Sequence, residues 1–375
     1  MRIEQINLRE IRMSLKAPFE TSFGVIQNRR IVLVEVVSDG VSGWGEVTAV
    51  ETPSYNAETT DTAWQIISDF IAPVLIGKEI QQAAEVGGGL VSIRGHQMAK
   101  AAVENAIWDI EAQQKLVPLS RLIGGTRDEI SSGVSLGIRD NPQTLVAVVE
   151  KELAAGYQRI KLKIKPGKDI DFVAAVRRQF PRIQLSVDAN SAYTLADLSH
   201  LKRLDDFGLL MIEQPLDWDD IYAHSKLQSQ LDTALCLDEC INNVRHAEAA
   251  IELKSCRIIN IKLGRVGGHS GARSVHDLCH QHSIPVWCGG MLESGIGRAH
   301  NVAMSTLPNF KLPGDVSASQ RYWHEDVIEP EIEVSRQGTI SAPKTAGLGY
   351  EVKRNLIDRL SVRQQEWKSK TSVAV

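Results

Sequence analysis

Five ionisable residues recur in a near-constant register through the middle of the 375-residue chain: Lys163, Asp188, Glu213, Asp238 and Lys262. The successive intervals are 25, 25, 25 and 24 residues. Each closes a short apolar run, reading Lys161-Leu-Lys163, Val187-Asp188, Ile212-Glu213-Gln214, Leu237-Asp238-Glu239 and Asn260-Ile-Lys262. Three carboxylates that converge need a cation to stay ionised together. Oxygen-only ligation of that kind favours a hard ion, Mg²⁺ first, with Mn²⁺ as the alternative. Lys161 and Lys163 lie two apart on a strand and so point the same way. Ammonium groups near one another and near a dication disfavour the charged form. A lysine ordinarily near ~10.4 can then approach ~7–8 and act as a general base. A metal that binds a substrate carboxylate stabilises the enediolate formed when lysine removes the α-proton. The chemistry indicated is proton abstraction α to a carboxylate. Acidic residues at strand ends can also solvate loops or cap the next helix, but that reading does not explain five in one register. Arg265, three residues past Lys262, adds a fixed positive charge expected to depress that lysine's pKa. The competing reading is that Arg265 pairs with an acidic neighbour and holds its loop.

The elements that must position these residues follow from the apolar pattern. From Ser131 onward, short apolar runs alternate with helix-like stretches such as Asp169–Phe180 and Leu195–Asp205. The runs are Gly133–Ile138, Arg159–Ile164, Gln184–Ala189, Leu209–Gln214, Ala234–Glu239, Ile258–Leu263, Pro285–Gly289 and Leu312–Val316. Continuously apolar strands are buried on both faces, as in a parallel sheet covered by helices. Eight such units fit a (β/α) barrel better than a doubly wound sheet, and no Gly-rich dinucleotide fingerprint follows the first run. In a closed barrel the five residues share the C-terminal mouth, where such barrels carry their chemistry. Before Ser131 the pattern differs. Ile3–Leu15, Arg30–Val37 and Val41–Val47 read as an antiparallel meander, and Ala57–Ile76 and Met98–Gln114 as helices. The expected division is an α+β capping domain over 1–125, a barrel over 126–320, and a segment over 321–375. That last segment reads as strand-rich before a terminal helix, closing the barrel and returning to the cap.

Composition limits the alternatives. Net charge is −4, and no run of Lys or Arg offers a nucleic-acid backbone a basic face. No apolar stretch approaches the ~20 residues of a membrane span, and Met1–Met13 lacks the apolar core of a signal peptide. Five cysteines, an odd number, argue against a disulfide framework. The expectation is a cytoplasmic enzyme acting on a small-molecule carboxylate, with neither nucleic acid nor membrane as partner. The group His276, Cys279, His280, His282 resembles a soft-metal site but reads better as polar residues near a helix C-terminus. Trp44, Trp108 and Trp323 read as core or interface residues.

The chain resembles the enolase superfamily, in its muconate-lactonizing subgroup, and most closely the o-succinylbenzoate synthase / N-acylamino acid racemase family. The stretches that carry the resemblance are Arg159-Ile-Lys-Leu-Lys-Ile-Lys165, Val187-Asp-Ala-Asn-Ser-Ala-Tyr-Thr194, Ile212-Glu-Gln-Pro-Leu216, Cys236-Leu-Asp-Glu239, Ile261-Lys-Leu-Gly-Arg-Val-Gly-Gly268 and the run from Cys288 to Asn301. Phe19-Glu-Thr-Ser-Phe-Gly24 joins them near the start. The resemblance implies a (β/α)₇β barrel capped by an α+β domain built from both ends of the chain. It implies Mg²⁺ on Asp188, Glu213 and Asp238, with Lys163 and Lys262 on opposite faces of the bound carboxylate. Asn190 and Glu239 would stand near the metal. Ser135 and the Gly289–Gly295 segment, with Gly290, Met291, Ser294 and Gly295, would border the substrate. The loop holding Glu20 and Phe23, and the segment near Tyr55, would close over the mouth. The reaction implied is dehydration of 2-succinyl-6-hydroxy-2,4-cyclohexadiene-1-carboxylate to o-succinylbenzoate, on the route to menaquinone. The alternative, or accompanying, activity is racemisation of N-succinyl or other N-acyl amino acids, with the two lysines as opposed bases. The family also implies a homo-oligomer, from dimer to octamer. Gly314-Asp-Val-Ser317 lacks the Asp-x-Asp pattern expected of dipeptide epimerases.

Overall fold

The computed structural model describes residues 1–369. The cap is an antiparallel sheet of β1 (Gln5–Thr21), β2 (Gly24–Ser38), β3 (Val41–Val47) and, from the far end of the chain, a last strand over Ser361–Lys368 that pairs with β1. Strands β1 and β2 form a long hairpin whose tip pairs Thr21 with Gly24. Its register slips between Ser14 and Phe19, so the tip bends away from the sheet. Helix α1 (Thr60–Ile66) starts on a Thr59–Thr62 capping box and continues as a wider turn through Ile71. Helix α2 (Gln97–Gln114) is buried along almost its whole length, because β3 and the short helical turn Leu263–Val266 both pack on it. Gly43 and Gly45 make the β3 contact possible: a Cβ on Gly45 would fall 1.9 Å from the Ala102 carbonyl oxygen.

The barrel sheet contains seven parallel strands in sequential order. They are β4 (Gly133–Leu136), β5 (Arg159–Lys163), β6 (Gln184–Asp188), β7 (Ile212–Glu213), β8 (Leu235–Leu237), β9 (Ile258–Ile261) and β10 (Val286–Cys288). Among the crossover helices are α3 (Pro142–Ala154), α4 (Ile170–Gln179), α5 (Ile221–Gln228), α6 (Val244–Glu252), α7 (His269–Gln281) and α8 (Gly295–Ser305). Local chemistry starts several of them. Asn141 caps α3 just before Pro142, and Asn243 caps α6.

The eighth run, Leu312–Val316, forms no strand of its own, since Pro313 lacks a donor and interrupts the ladder. Isolated bridges still close the ring: Phe310 pairs with Val286 and Gly314 with Ser132. The amide of Asp315 donates to Cys288 O at 2.7 Å, and that of Gly133 to Gly314 O at 2.7 Å. The terminal helix is also displaced from its expected place. Helix α9 (Arg354–Leu360) precedes the last strand, labelled β11 from here, which ends the described chain as a cap edge. The fold is thus a (β/α)₇β barrel with an α+β cap drawn from both chain ends. No helix among the described residues is long and apolar enough to cross a membrane. All five cysteines are buried and unpaired. His276 is buried rather than on the surface. Its ring lies between the Asp277 carboxylate, 2.7 Å from Nδ1, and the Asn309 amide, which donates to Nε2 at 2.9 Å.

Candidate active site

The parallel register sets the ionisable side chains beside one another. Lys163 is aligned with Asp188, and Asp188 with Glu213, while Asp238 follows β8 and Lys262 follows β9. Asp188, Glu213 and Asp238 are each exposed by 1% or less. The chain's own cations meet them. Lys161 Nζ lies 3.0 Å from Asp188 Oδ2, 2.8 Å from Glu213 Oε2 and 2.8 Å from Asp315 Oδ2. Lys163 Nζ donates to Asp188 Oδ2 at 2.6 Å and to Asn190 Oδ1 at 2.5 Å. Lys262 Nζ donates to Asp238 Oδ2 at 2.9 Å and to the Tyr55 hydroxyl at 3.0 Å.

The electrostatics separate the two lysines. Burial, assisted by the Lys161 ammonium, pulls Lys163 below the usual lysine value against the attraction of Asp188. Burial acts the same way on Lys262, but Tyr55, Glu239 and Glu213 outweigh it and hold that ammonium above the usual value. Arg265 therefore does not depress Lys262 as its charge alone suggests. Its guanidinium bonds the Asp238 carboxylate and the Tyr55 hydroxyl, the latter at 2.8 Å, so its charge is spent on a neighbour that also binds Lys262.

The carboxylates still crowd one another. Burial and then Asp188 raise Glu213, and the same two causes push Glu239 up to about 7. Glu239 Oε2 and Asn260 Oδ1 are buried acceptors without a partner among the described residues. As the side chains stand, no three metal-ligating groups of the described residues converge on one point, because each acid has turned to a lysine or arginine. The donor set nonetheless suits a hard dication: three buried acids on adjacent strands, oxygen only, in mutual repulsion.

Lys163, Lys262, Asn190, Tyr55, Phe23, Gly290 and Met291 line one small cavity of about 60 Å³, together with Phe19, Ile26 and Val50. That is well below the several hundred cubic ångströms of a typical ligand pocket. The hairpin tip is joined to the barrel in three places: Ser22 Oγ donates to Asn190 O at 3.0 Å, the Ile138 amide donates to Glu20 O at 3.0 Å, and Glu20 pairs with Lys165 at 3.2 Å. Glu20 itself is not among the cavity-lining residues. Ser135 is aligned with Lys161 in the barrel and keeps an unpartnered hydroxyl. Ser294 and Gly295 do not line the cavity. Ser294 caps α8 and bonds Glu46 of the cap, and the Gly295 amide donates to Asp326 at 2.6 Å.

Two site residues have no role in the sequence reading. Asn260 Nδ2 donates to Glu213 Oε1 at 2.7 Å and to Asp238 Oδ1 at 3.1 Å. It stands two before Lys262 and so shares that lysine's face, a signal the strand pattern carries. Asp315 holds both Lys161 and Arg159, the latter at 2.6 Å. It lies where the eighth strand breaks, and no periodicity marks it.

A barrel with acids on its middle strands and lysines on both flanks has the groups needed to take a proton from carbon beside a carboxylate. The model of the mandelate racemase / muconate lactonizing enzyme N-terminal domain matches residues 3–124, and that of the enolase C-terminal domain matches residues 144–356. The chain belongs to the enolase superfamily and is an enzyme. It is 52% identical over 358 residues to o-succinylbenzoate synthase of Geobacillus kaustophilus, covering 95% of each chain. It is 43% identical to N-succinylamino acid racemase of Thermus thermophilus, covering 97% of this chain and 99% of that one. A solved enolase-superfamily member from Listeria innocua superposes with a TM-score of 0.95 at 41% identity, over 98% of this chain and 99% of the other.

Proposed function

We propose that the protein is an o-succinylbenzoate synthase, dehydrating 2-succinyl-6-hydroxy-2,4-cyclohexadiene-1-carboxylate, with N-succinylamino acid racemisation as its second activity. The observation that carries this is the placement of Lys163 and Lys262 in one cavity, on strands that flank the three acid-bearing strands. Lys163 takes the α-proton and returns it to the departing hydroxyl, so one lysine completes a syn dehydration. Lys262 stays cationic beside it and offsets the negative charge that grows on the substrate. In racemisation the second lysine must instead exchange a proton on the opposite face. Asp188, Glu213 and Asp238 are the residues that would hold Mg²⁺, which supplies electrostatic stabilisation to the substrate carboxylate as the proton leaves. Asn190 orients Lys163, Glu239 holds Asn190, and Tyr55 orients Lys262. Support for the synthase comes from three relatives of that name at 49–52% identity, with two more at 41–42%, beside two racemases at 43–45%.

The test assays both reactions on purified protein, with Mg²⁺ and with EDTA. Dehydration is followed by absorbance and α-proton exchange of N-succinyl amino acids by NMR in D₂O. Fast, EDTA-sensitive dehydration supports the synthase. Exchange without dehydration would leave the racemase alone, and inactivity on both substrates overturns the proposal.

A further inference from the structure

Among the described residues four arginines are almost completely buried: Arg29, Arg159, Arg265 and Arg298. Three of them meet a carboxylate: Arg159 pairs with Asp315, Arg265 with Asp238 and Arg298 with Asp326. Arg29 does not. On β2, it donates from Nη2 to the Ala49 carbonyl at 3.2 Å, and its Nε has no acceptor among the described residues. The carboxylates nearest in influence are Glu46, Glu293 and Glu51. Each is engaged elsewhere: Glu46 by the first turn of α8, Glu293 by Asn301 Nδ2 at 2.9 Å, and Glu51 by the Arg30 amide at 2.9 Å. A buried cation with no anion of its own is costly unless an opposite charge reaches it.

Arg29 also lines a cavity of about 360 Å³ between the start of β2 and the segment from Val50 to Ser54. Phe23, Ile26 and Val50 form walls of both this cavity and the one that holds Lys163 and Lys262. An apolar partition thus separates a pair of reactive lysines from an unpaired guanidinium. A ligand matched to both sides carries one carboxylate at the lysines, a short run of methylenes, and a second carboxylate at Arg29. A guanidinium suits that second group because its forked donors match a carboxylate's two oxygens.

We propose that Arg29 binds the terminal carboxylate of the substrate's succinyl arm and selects dianionic succinyl compounds over neutral acyl analogues. The inference rests on the proposed function, whose two substrates share that arm while differing around the reacting carbon. Arg29 is thereby the residue that lets one site accept both.

The test compares an N-succinyl amino acid with its N-succinamyl counterpart, in which an amide replaces the terminal carboxylate at nearly the same shape. Rates of α-proton exchange are measured with Mg²⁺, and binding of both compounds by calorimetry. The wild type is expected to favour the succinyl compound by about tenfold or more, mostly in KM. Arg29→Met is expected to bring the two compounds within about twofold. Arg29→Lys keeps the charge without the fork and is expected to lose at least about threefold of the preference. It serves if the methionine variant does not fold. Equal treatment of both compounds by the wild type overturns the role of Arg29 while leaving the reaction standing, as does a preference that survives in both variants. Absence of exchange, with a calorimetric preference that the variants abolish, overturns the reaction and supports Arg29.

Discussion

Lys163 and Lys262 are chemically alike and differ only in what surrounds them. Lys163 is bonded to an acid and an amide beside a second ammonium, whereas Lys262 sits against Tyr55 and Asp238. Lys163→Ala is expected to abolish dehydration and racemisation together, by about 10³-fold or more. Lys262→Ala should abolish racemisation and slow dehydration, since a cation beside the developing charge is lost. Parallel assays of both reactions check this, and near-normal turnover by the Lys163 variant would remove that lysine as the base. Gly289 supplies a second residue-level test. A Cβ there would stand 2.6 Å from Lys262 Cε and 2.5 Å from the Asn260 amide atoms. Gly289→Ala should therefore push Lys262 off its position and cost kcat about tenfold or more, with a smaller change in KM. Steady-state kinetics decide it, and an unchanged kcat would show that Lys262 adapts.

Elements of the cap are fastened to the barrel through buried acids at helix starts. Glu46 on β3 accepts from the Ser294 amide at 3.0 Å, the Ser294 hydroxyl at 2.6 Å and the Gly297 amide at 2.9 Å, at the start of α8. Glu104 on α2 accepts from the His269 and Ser270 amides at 2.7 and 3.1 Å, at the start of α7. Burial pushes Glu46 up to about 8 and Glu104 to about 7, against the pull of these donors. The folded pKa then exceeds the unfolded one, so the folded state holds a proton that the unfolded chain releases. The associated stability is complete below about pH 4.5 and is lost as pH rises through the folded values. The melting temperature should accordingly fall between about pH 4.5 and about pH 8, and Glu46→Gln should flatten that fall, by a few kcal/mol in order of magnitude. Calorimetric melts across that range test the point, and an identical slope in the variant would exclude Glu46 as its source.

At the scale of the whole molecule, the acid cluster ties metal binding to stability. Mg²⁺ at about 100 times its Kd should stabilise the fold by about 2.7 kcal/mol, and Glu213→Gln should remove most of that gain. Melts with Mg²⁺ and with EDTA measure it, and a Mg²⁺ shift retained in the variant would place the ion elsewhere. Much of this molecule was legible in the chain. The interval of about 25 residues is the length of one βα unit, so residues in that register must end adjacent strands at one rim. Alternation showed the cap hairpin. The eighth run closes the ring as the apolar pattern indicates, but through isolated bridges, because Pro313 breaks its ladder. Of the two readings of Arg265, the pairing with an acidic neighbour holds, and only the fold could show that the neighbour is Asp238. The resemblance put Ser294 and Gly295 beside the substrate, whereas at the start of α8 they bond Glu46 and Asp326. Asn260 and Asp315 stayed silent for a related reason: their partners come from other strands. Sequence by itself determined which residues reach the barrel mouth and what chemistry they can share, because periodicity is a property of the covalent chain. Tertiary structure alone decided which lysine is paired with which acid and which buried arginine was left without one, because those pairings form through space between segments up to some 200 residues apart.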